Sequence, residues 1–403
     1  MERGIFMADR AQRMEHFSLS PSAAILARVQ ELRAQGKDII SLNIGEPDFG
    51  TPEYIKAAAK EALEAGFTRY TTESGIPDLR AAIARKLKAD NNIDYALNEI
   101  TTTVGAKQAL FCAMMVIAQP GDEVLLPIPC WVSYTEMIKL AGAAPVFVPV
   151  REDNYELDVD AIEAAITERT KAIILCTPNN PTGAVYSEES LRRLAALAEE
   201  HDFFIVADEV YEKLVYDGRR HFSVASISPA IKDRTITVNG FSKAYAMTGW
   251  RIGYAAARAD IIKGIIAMQS QTTSCTNAIA QKAALAALEG PQEDLHRMVA
   301  EFKRRKDFIV ERLRAMEGIV CPDAHGAFYV YPDVSAYFGK SYRGQAIENA
   351  VDLCEYLLEE ALVSAVPGEA FNLPGRLRIS YSNSMEQLTQ AMDRMEAALG
   401  KLQ

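Results

Sequence analysis

Residues 171–208 hold the strongest structural signal in this chain: Lys171-Ala172-Ile173-Ile174-Leu175-Cys176, a helical period over Ser187–His201, and Phe203-Phe204-Ile205-Val206-Ala207 ahead of Asp208. Two short apolar runs rich in β-branched residues, separated by a helical period, predict two parallel strands joined by a helix. The same alternation extends from about residue 98 to residue 257. The sequence therefore predicts a mostly parallel sheet covered by helices, in which ligands bind at the carboxyl ends of the strands.

The pattern changes after Pro291, where a long helical period runs from Leu295 to Leu313 and is suited to bridging two domains. Beyond it, short strands separated by helices are predicted at Ala327–Tyr331, Leu362–Val366 and Leu377–Tyr381. A chain of 403 residues exceeds one ordinary core. We therefore expect a large domain over residues 46–290 and a small α/β domain over 291–403, with residues 1–45 packing with the small domain.

Composition narrows the function classes. The chain is 49% hydrophobic and 24% charged, with no apolar run long enough to span a bilayer, and its net charge is −11 without a basic tract. These features argue against membrane and nucleic-acid partners. The six cysteines lack metal-site spacing and suit buried, reduced thiols, and the charged N-terminus does not resemble a secretory signal. We expect a cytoplasmic protein with no metal.

The most reactive motif is the stretch Asn239–Arg251, which reads Asn-Gly-Phe-Ser-Lys-Ala-Tyr-Ala-Met-Thr-Gly-Trp-Arg. Lys243 lies in a turn of small residues, where its amine can approach a cofactor aldehyde and form an imine. Arg251 offers the fork of donors that a phosphate prefers. Taken alone, a lysine and an arginine at this spacing would more often be a solvated surface pair, and only the other segments of the chain favour the cofactor site.

Polar residues follow two predicted strands. Asp208 lies at the end of an apolar strand, where it would be ionised only beside a cation such as a protonated pyridine nitrogen. The alternative role for Asp208 is the N-cap of a helix. Tyr211 could donate to a phenolate oxygen on the same cofactor, or be an ordinary half-buried tyrosine. Asn180 lies in the Asn-Pro-Thr-Gly turn after the strand ending at Cys176, and would place an amide beside the same oxygen.

Two further segments suit a phosphate-bearing aromatic cofactor. Gly105-Ala106-Lys107 opens a predicted helix, whose free N–H groups and dipole favour an anion. The Lys107 side chain could equally be solvated. Trp131 could stack on an aromatic ring or belong to the core.

Gly45 and Arg378 are candidates for binding a substrate carboxylate. Gly45 lies in a tight turn after a short strand, where its backbone is accessible. Arg378 lies inside a predicted strand, where burying an unpaired guanidinium is costly. Its presence there is explained either by a carboxylate that it binds through two hydrogen bonds or by an ion pair at the surface.

Taken together, these segments resemble the class I/II aminotransferases of fold type I, which depend on pyridoxal 5'-phosphate, and most closely the prokaryotic-type aspartate aminotransferase branch. The resemblance extends from about Ser18 to Ala398. It implies an α/β fold with a mostly parallel seven-stranded sheet in the large domain. It implies that Lys243, Asp208 and Tyr211 are catalytic. The same three residues would bind the cofactor together with Gly105, Ala106, Lys107, Trp131, Asn180, Ser242 and Arg251. The substrate would be bound by Gly45, Trp131, Asn180 and Arg378.

The resemblance also implies a homodimer, because Tyr70 matches the position that reaches the phosphate from the neighbouring subunit. Two departures from the family stand out. Gly240 occupies a position that often carries a phosphate-binding serine, so Ser242 and Arg251 are expected to carry more of that contact. Ser20-Pro21-Ser22-Ala23-Ala24 replaces a Lys-Pro-Ser-Ala-Thr motif that helps select acidic side chains, and the polar run Gln269–Ser274 is a candidate replacement.

The implied activity is transfer of the amino group of an L-amino acid, aspartate-like, to a 2-oxo acid such as 2-oxoglutarate. An aromatic or alanine-type aminotransferase is an alternative. A fold type I lyase or synthase is another, because the bond that breaks depends on which bond is aligned with the cofactor. The non-enzymatic alternative is a regulatory module that binds pyridoxal phosphate.

Overall fold

The computed structural model of the protein describes residues 21–403, apart from the side chains of residues 21–24 and 26. Residues 1–20, with Ser18, Ser20 and somewhat less than half of the predicted N-terminal segment 1–45, lie outside this part of the chain. The helices are α1 (Pro21–Ala34), α2 (Glu53–Glu64), α3 (Pro77–Asn91), α4 (Gly105–Ile117), α5 (Ser133–Leu140), α6 (Val159–Ala164), α7 (Glu188–Glu200), α8 (Pro229–Arg234), α9 (Ala259–Thr272), α10 (Ala278–Glu289), α11 (Glu293–Ala315), α12 (Ala350–Tyr356) and α13 (Met385–Leu399).

The strands are β1 (Ile40–Ser41), β2 (Ile100–Thr103), β3 (Glu123–Ile128), β4 (Ala144–Pro149), β5 (Thr170–Cys176), β6 (Phe204–Asp208), β7 (Thr235–Gly240), β8 (Gly253–Ala256), β9 (Tyr329–Val330), β10 (Ser341–Tyr342), β11 (Gln345–Ala346), β12 (Val363–Ser364), β13 (Val366–Pro367) and β14 (Leu377–Ser380). Seven of them form one sheet in the order β2-β8-β7-β6-β5-β3-β4. Strand β8 runs antiparallel to both neighbours, and the other strands are parallel to one another. The predicted mostly parallel sheet is confirmed.

The centre of the sheet is built from the apolar runs that the sequence identified. In β6, the side chains of Ile205, Val206 and Ala207 are buried, because helices cover both faces of the sheet. Adjacent parallel strands end together, so Cys176 of β5 is paired with Asp208 of β6, and Asp208 in turn with Val238 of β7. This register brings the residues that follow these strands to one edge of the sheet.

The C-terminal part contains shorter strands. Strands β13, β14 and β9 form an antiparallel sheet, and β12 pairs in parallel with β1. The single strand predicted at Leu362–Val366 is two strands with different partners, since β12 faces β1 whereas β13 faces β14. The β1–β12 pairing supports the predicted packing of the N-terminal segment with this part, while the domain boundaries stay a prediction.

The predicted long helix is α11, and its buried side chains include Leu295, Phe302, Ile309 and Leu313. Its polar face carries numerous ion pairs, including those of Arg304 and Lys303. None of the helices in the described part of the chain, α11 included, combines the length and the apolar character that crossing a membrane requires.

Candidate active site

A cavity of about 500 Å³ opens where β5, β6 and β7 end. Its walls include eleven of the predicted residues: Gly45, Ala106, Lys107, Trp131, Asn180, Asp208, Tyr211, Ser242, Lys243, Arg251 and Arg378. Gly105 lies directly beside it, against Arg251. Residues that are far apart in the sequence therefore meet at the edge of the sheet where ligands of α/β folds bind.

Lys243 lies in the turn after β7 and extends its amine into the cavity. Its Nζ donates to the carbonyl oxygen of Gly45 at 2.5 Å. Burial lowers the pKa of Lys243 to about 8, helped by the positive charge of Arg378 and opposed by the carboxylates of Glu46 and Asp208. A lysine with this pKa is partly neutral near pH 7, and a neutral amine is the form that attacks an aldehyde or accepts a proton.

Asp208 ends β6 and is 3% exposed. The hydroxyl of Tyr134 donates to its Oδ2 at 2.6 Å, and the backbone N–H of Val210 donates to its Oδ1 at 3.4 Å. Burial raises the pKa of Asp208 to about 6, and the hydrogen bond from Tyr134 opposes this rise. A buried carboxyl group of this kind is suited to a cationic partner inside the cavity.

Arg378 is a buried guanidinium on β14. It donates through Nη1 to Oδ1 of Asn180 at 3.1 Å and through Nη2 to the carbonyl oxygen of Asn43 at 2.7 Å. Its Nε is buried and has no hydrogen-bond partner among the residues that the structure describes. Since a buried guanidinium is costly without an anion, this arrangement indicates a site for a carboxylate.

Another part of the cavity wall, at the start of α4, is suited to a phosphate. Helix α4 begins at Gly105 with no side-chain cap, so its first N–H groups are available to an anion. Gly105 has a φ of +73°, and a Cβ there would overlap the guanidinium of Arg251. Arg251 is held by a hydrogen bond from Nη1 to the carbonyl oxygen of Thr248 at 3.0 Å.

Aromatic side chains also line the cavity. Trp131 lines the cavity and packs edge-to-face on Tyr134, with ring centroids 5.3 Å apart. The Nζ of Lys107 lies 4.7 Å from the centre of the Trp131 ring, and burial lowers the pKa of Lys107. Tyr211 is buried, and its hydroxyl lies 3.0 Å from that of Tyr329.

The donor set fits pyridoxal phosphate. An uncapped helix terminus and Arg251 suit its phosphate, the buried Asp208 suits its ring nitrogen, and Lys243 suits its aldehyde. The cavity between them has a flat aromatic wall at Trp131. These placements agree with the predicted roles, which stay predictions until they are tested.

Sequence reasoning missed several wall residues: Asn43, Glu46, Tyr134, Cys176, Thr248 and Tyr329. Tyr134 carried no distinctive signal, because a tyrosine in the amphipathic helix α5 looks like an ordinary core residue.

Two sets of residues lie away from the cavity. Tyr70 is 89% exposed and does not contribute to the cavity of its own chain. The suggestion that Gln269–Ser274 supplies polar donors to the cavity is wrong within one subunit, because Gln269 is buried against Thr101, to which it donates at 3.1 Å. The segment Ser20–Ala24 cannot be compared, since Ser20 and the side chains of residues 21–24 lie outside the described residues.

Comparisons with known proteins agree with this site. The model of the family "Aminotransferase class I and II" matches residues 37–395. A probable aspartate/prephenate aminotransferase of Aquifex aeolicus is 45% identical over 97% of this chain and 99% of its own length.

Two solved structures are similar throughout. The aspartate aminotransferase of Rhizobium meliloti superposes with a TM-score of 0.95 at 42% identity, covering 98% of this chain and 100% of that one. An aromatic aminotransferase of Pyrococcus horikoshii OT3 gives a TM-score of 0.88 at 40% identity, covering 96% and 98%.

The fold and the cavity define a transferase of fold type I that depends on pyridoxal phosphate. This chain belongs to the class I and II aminotransferases. The predicted family, fold, enzyme class and cofactor are thereby confirmed.

Proposed function

We propose that this enzyme moves the amino group of an aspartate-like L-amino acid to a 2-oxo acid such as 2-oxoglutarate, with Lys243 as the covalent attachment site of the cofactor. The observation that carries this proposal is the amine of Lys243, which lies in a cavity also lined by Asp208 and Arg378. When bound, pyridoxal phosphate carries the amino group and withdraws electrons from the α-carbon of the substrate.

Lys243 is also the residue that would move the proton at the α-carbon. With a pKa of about 8, on the order of one lysine in ten is neutral at pH 7. An ordinary exposed lysine would be neutral far less often at that pH. The bond to the Gly45 carbonyl oxygen holds the amine beside the segment at which the substrate is expected to bind.

The remaining cavity residues would hold the cofactor in place. Gly105, Ala106, Ser242 and Arg251 would bind the phosphate through backbone and side-chain donors. Asp208 would accept a hydrogen bond from the protonated ring nitrogen, which keeps that nitrogen charged.

Trp131 would cover one face of the cofactor ring, and Asn180 and Tyr211 would donate to its phenolate oxygen. Each of these roles is supported by the position of the side chain in the cavity wall.

The substrate carboxylates have two candidate cations. Arg378 would bind the α-carboxylate, supported by its buried Nε, which has no hydrogen-bond partner in the described part of the chain. Lys107 lies in the same cavity over Trp131 and could meet the side-chain carboxylate or the phosphate. The names of the Aquifex and Rhizobium proteins support an acidic donor. The similarity to the aromatic aminotransferase of Pyrococcus supports an aromatic amino acid as the second candidate for the amino donor.

We further propose a homodimer in which Tyr70 reaches the phosphate of the partner subunit, a role supported by its exposed side chain. A cytoplasmic location is supported by the six unpaired cysteines, since thiols stay reduced there. The packing of residues 1–45 with a small domain that begins at residue 291 is supported by the pairing of β1 with β12.

The test is to reduce the cofactor-loaded protein with borohydride and map the labelled peptide. We expect loss of the visible absorption band and a label on Lys243; a label on another lysine would contradict the assignment. A substrate panel then measures kcat/KM for aspartate, glutamate, phenylalanine, tyrosine and alanine with 2-oxoglutarate and with pyruvate. Aspartate is expected to rank first, and a value about tenfold below phenylalanine would reverse the ranking while leaving the transfer reaction intact.

A further inference from the structure

Tyr329 of β9 contacts one residue proposed to bind the cofactor and two residues proposed to bind the substrate carboxylate. Its hydroxyl lies 3.0 Å from that of Tyr211, and the Arg378 guanidinium lies 4.7 Å from the centre of its ring. A Cβ built on Gly45 would lie 3.1 Å from the same hydroxyl, so Gly45 packs beside it. One buried side chain therefore connects the residue proposed at the cofactor oxygen with the two proposed at the substrate carboxylate.

The number of protons decides which tyrosine donates. Each tyrosine hydroxyl has one proton to give. If Tyr211 gives its proton to the cofactor, the bond between the two hydroxyls needs the proton of Tyr329. The charges agree. Burial raises the pKa of both tyrosines and the Arg378 guanidinium opposes both rises, but Arg378 is the largest opposing influence at Tyr329 and a minor one at Tyr211, whose pKa is raised well above its usual value. Tyr329 is therefore the better donor of the two.

We propose that Tyr329 is a positioning residue that donates to Tyr211 and so transmits carboxylate binding at Arg378 to the phenolate oxygen of the cofactor. This inference rests on the proposed function, in which Tyr211 donates to that oxygen. A hydrogen bond received by Tyr211 strengthens the one that it gives. When a carboxylate neutralises Arg378, Tyr329 would become a weaker donor to Tyr211, and Tyr211 would then stabilise the phenolate oxygen less. With a less stabilised phenolate, the Lys243 nitrogen would keep its proton to a higher pH.

The measurement is the absorbance midpoint, defined as the pH at which the visible absorption of the cofactor-loaded protein has changed by half. We expect Tyr329→Phe, which keeps the ring, to raise this midpoint by about half to one pH unit. Saturating succinate, a dicarboxylate without an amino group, should raise the midpoint of the unmodified protein more than that of the variant. Tyr155→Phe is the matched control, because Tyr155 is a buried tyrosine that donates to the Tyr331 carbonyl oxygen at 2.7 Å outside the cavity, and its midpoint should not change.

A second variant separates the inference from the function on which it rests. Tyr211→Phe should raise the midpoint, and adding Tyr329→Phe to it should cause no further rise, because Tyr329 acts through Tyr211. A shift in Tyr211→Phe with none in Tyr329→Phe would overturn this inference and leave the proposed function standing. A full additional shift in the double variant would overturn it as well. No shift in Tyr211→Phe would refute the placement of Tyr211 itself.

Discussion

The shortest hydrogen bond to Asp208 comes from Tyr134, and we predict that it sets the charge of Asp208. A hydrogen bond to a carboxylate contributes about 1.5–3 kcal/mol, which corresponds to about one to two pKa units. Burial already holds the pKa of Asp208 at about 6, so losing this bond in Tyr134→Phe should raise it further. A raised carboxyl pKa leaves more of the protonated acid at a given pH. The acidic limb of the kcat profile should therefore move to higher pH by about one unit or more.

The control for this variant is Tyr356→Phe. Tyr356 is also buried, and it donates to the Ala398 carbonyl oxygen at 2.8 Å. Loss of the Tyr356 hydroxyl in this variant should leave the pH profile of kcat unchanged. An unshifted acidic limb in Tyr134→Phe, with normal folding by circular dichroism, would show that Asp208 does not depend on this hydroxyl.

Asp208 and Tyr134 also show what the sequence can and cannot predict at this scale. Asp208 was predictable, because a carboxyl at the end of an apolar strand is rare without a partner. Tyr134 was not, because a tyrosine in a helix whose apolar face packs on a sheet looks like any core residue. Tyr329 was missed for the same reason, since only the tertiary structure brings it within 3.0 Å of Tyr211.

Helix α4 provides a prediction at the scale of an element. Gly105→Ala would strain the backbone at a φ of +73° and place a methyl group against Arg251, so it should raise the dissociation constant of pyridoxal phosphate at least about tenfold. Gly121→Ala is a matched control, because Gly121 has a φ of +99° and no atom of residues 21–403 that the structure describes lies within 4 Å of the added Cβ. Both variants should lose about 1–2 kcal/mol in the free energy of unfolding. The dissociation constant is measured by equilibrium binding of the cofactor to the apoprotein of each variant. Equal cofactor affinity of Gly105→Ala and Gly121→Ala would contradict the proposed phosphate site.

The elements themselves were predicted unevenly. The strands with long apolar runs, β5 and β6, were placed within a residue or two of their observed bounds. Strand β8, Gly-Tyr-Ala-Ala, was not foreseen, because it is short and has no β-branched residue to mark it. The division between β12 and β13 depends on pairing with β1 and β14, which local sequence does not encode.

At the scale of the whole molecule, the site is assembled from distant parts of the chain. Arg378 belongs to the C-terminal part, and its partners Asn43 and Asn180 come from the N-terminal segment and from the turn after β5. Movement of the C-terminal part would therefore change the carboxylate site directly. Tyr70 extends the same reasoning beyond one subunit, because its exposed side chain does not contribute to its own cavity.

A hybrid dimer tests whether Tyr70 acts across subunits. Tyr70→Phe alone should weaken cofactor binding about tenfold through loss of a hydrogen bond to the phosphate, and Lys243→Ala alone should abolish turnover. In a dimer with one subunit of each kind, sharing places both defects in one site and leaves the other site intact. The hybrid is purified with two affinity tags, one on each kind of subunit. It should show about half the activity of the unmodified dimer and one site of normal cofactor affinity. A hybrid of unmodified and Lys243→Ala subunits is the control and should give the same result. If Tyr70 served its own subunit, the active site of the hybrid would keep the weakened affinity of Tyr70→Phe, and full activity from an isolated monomer would refute the shared site altogether.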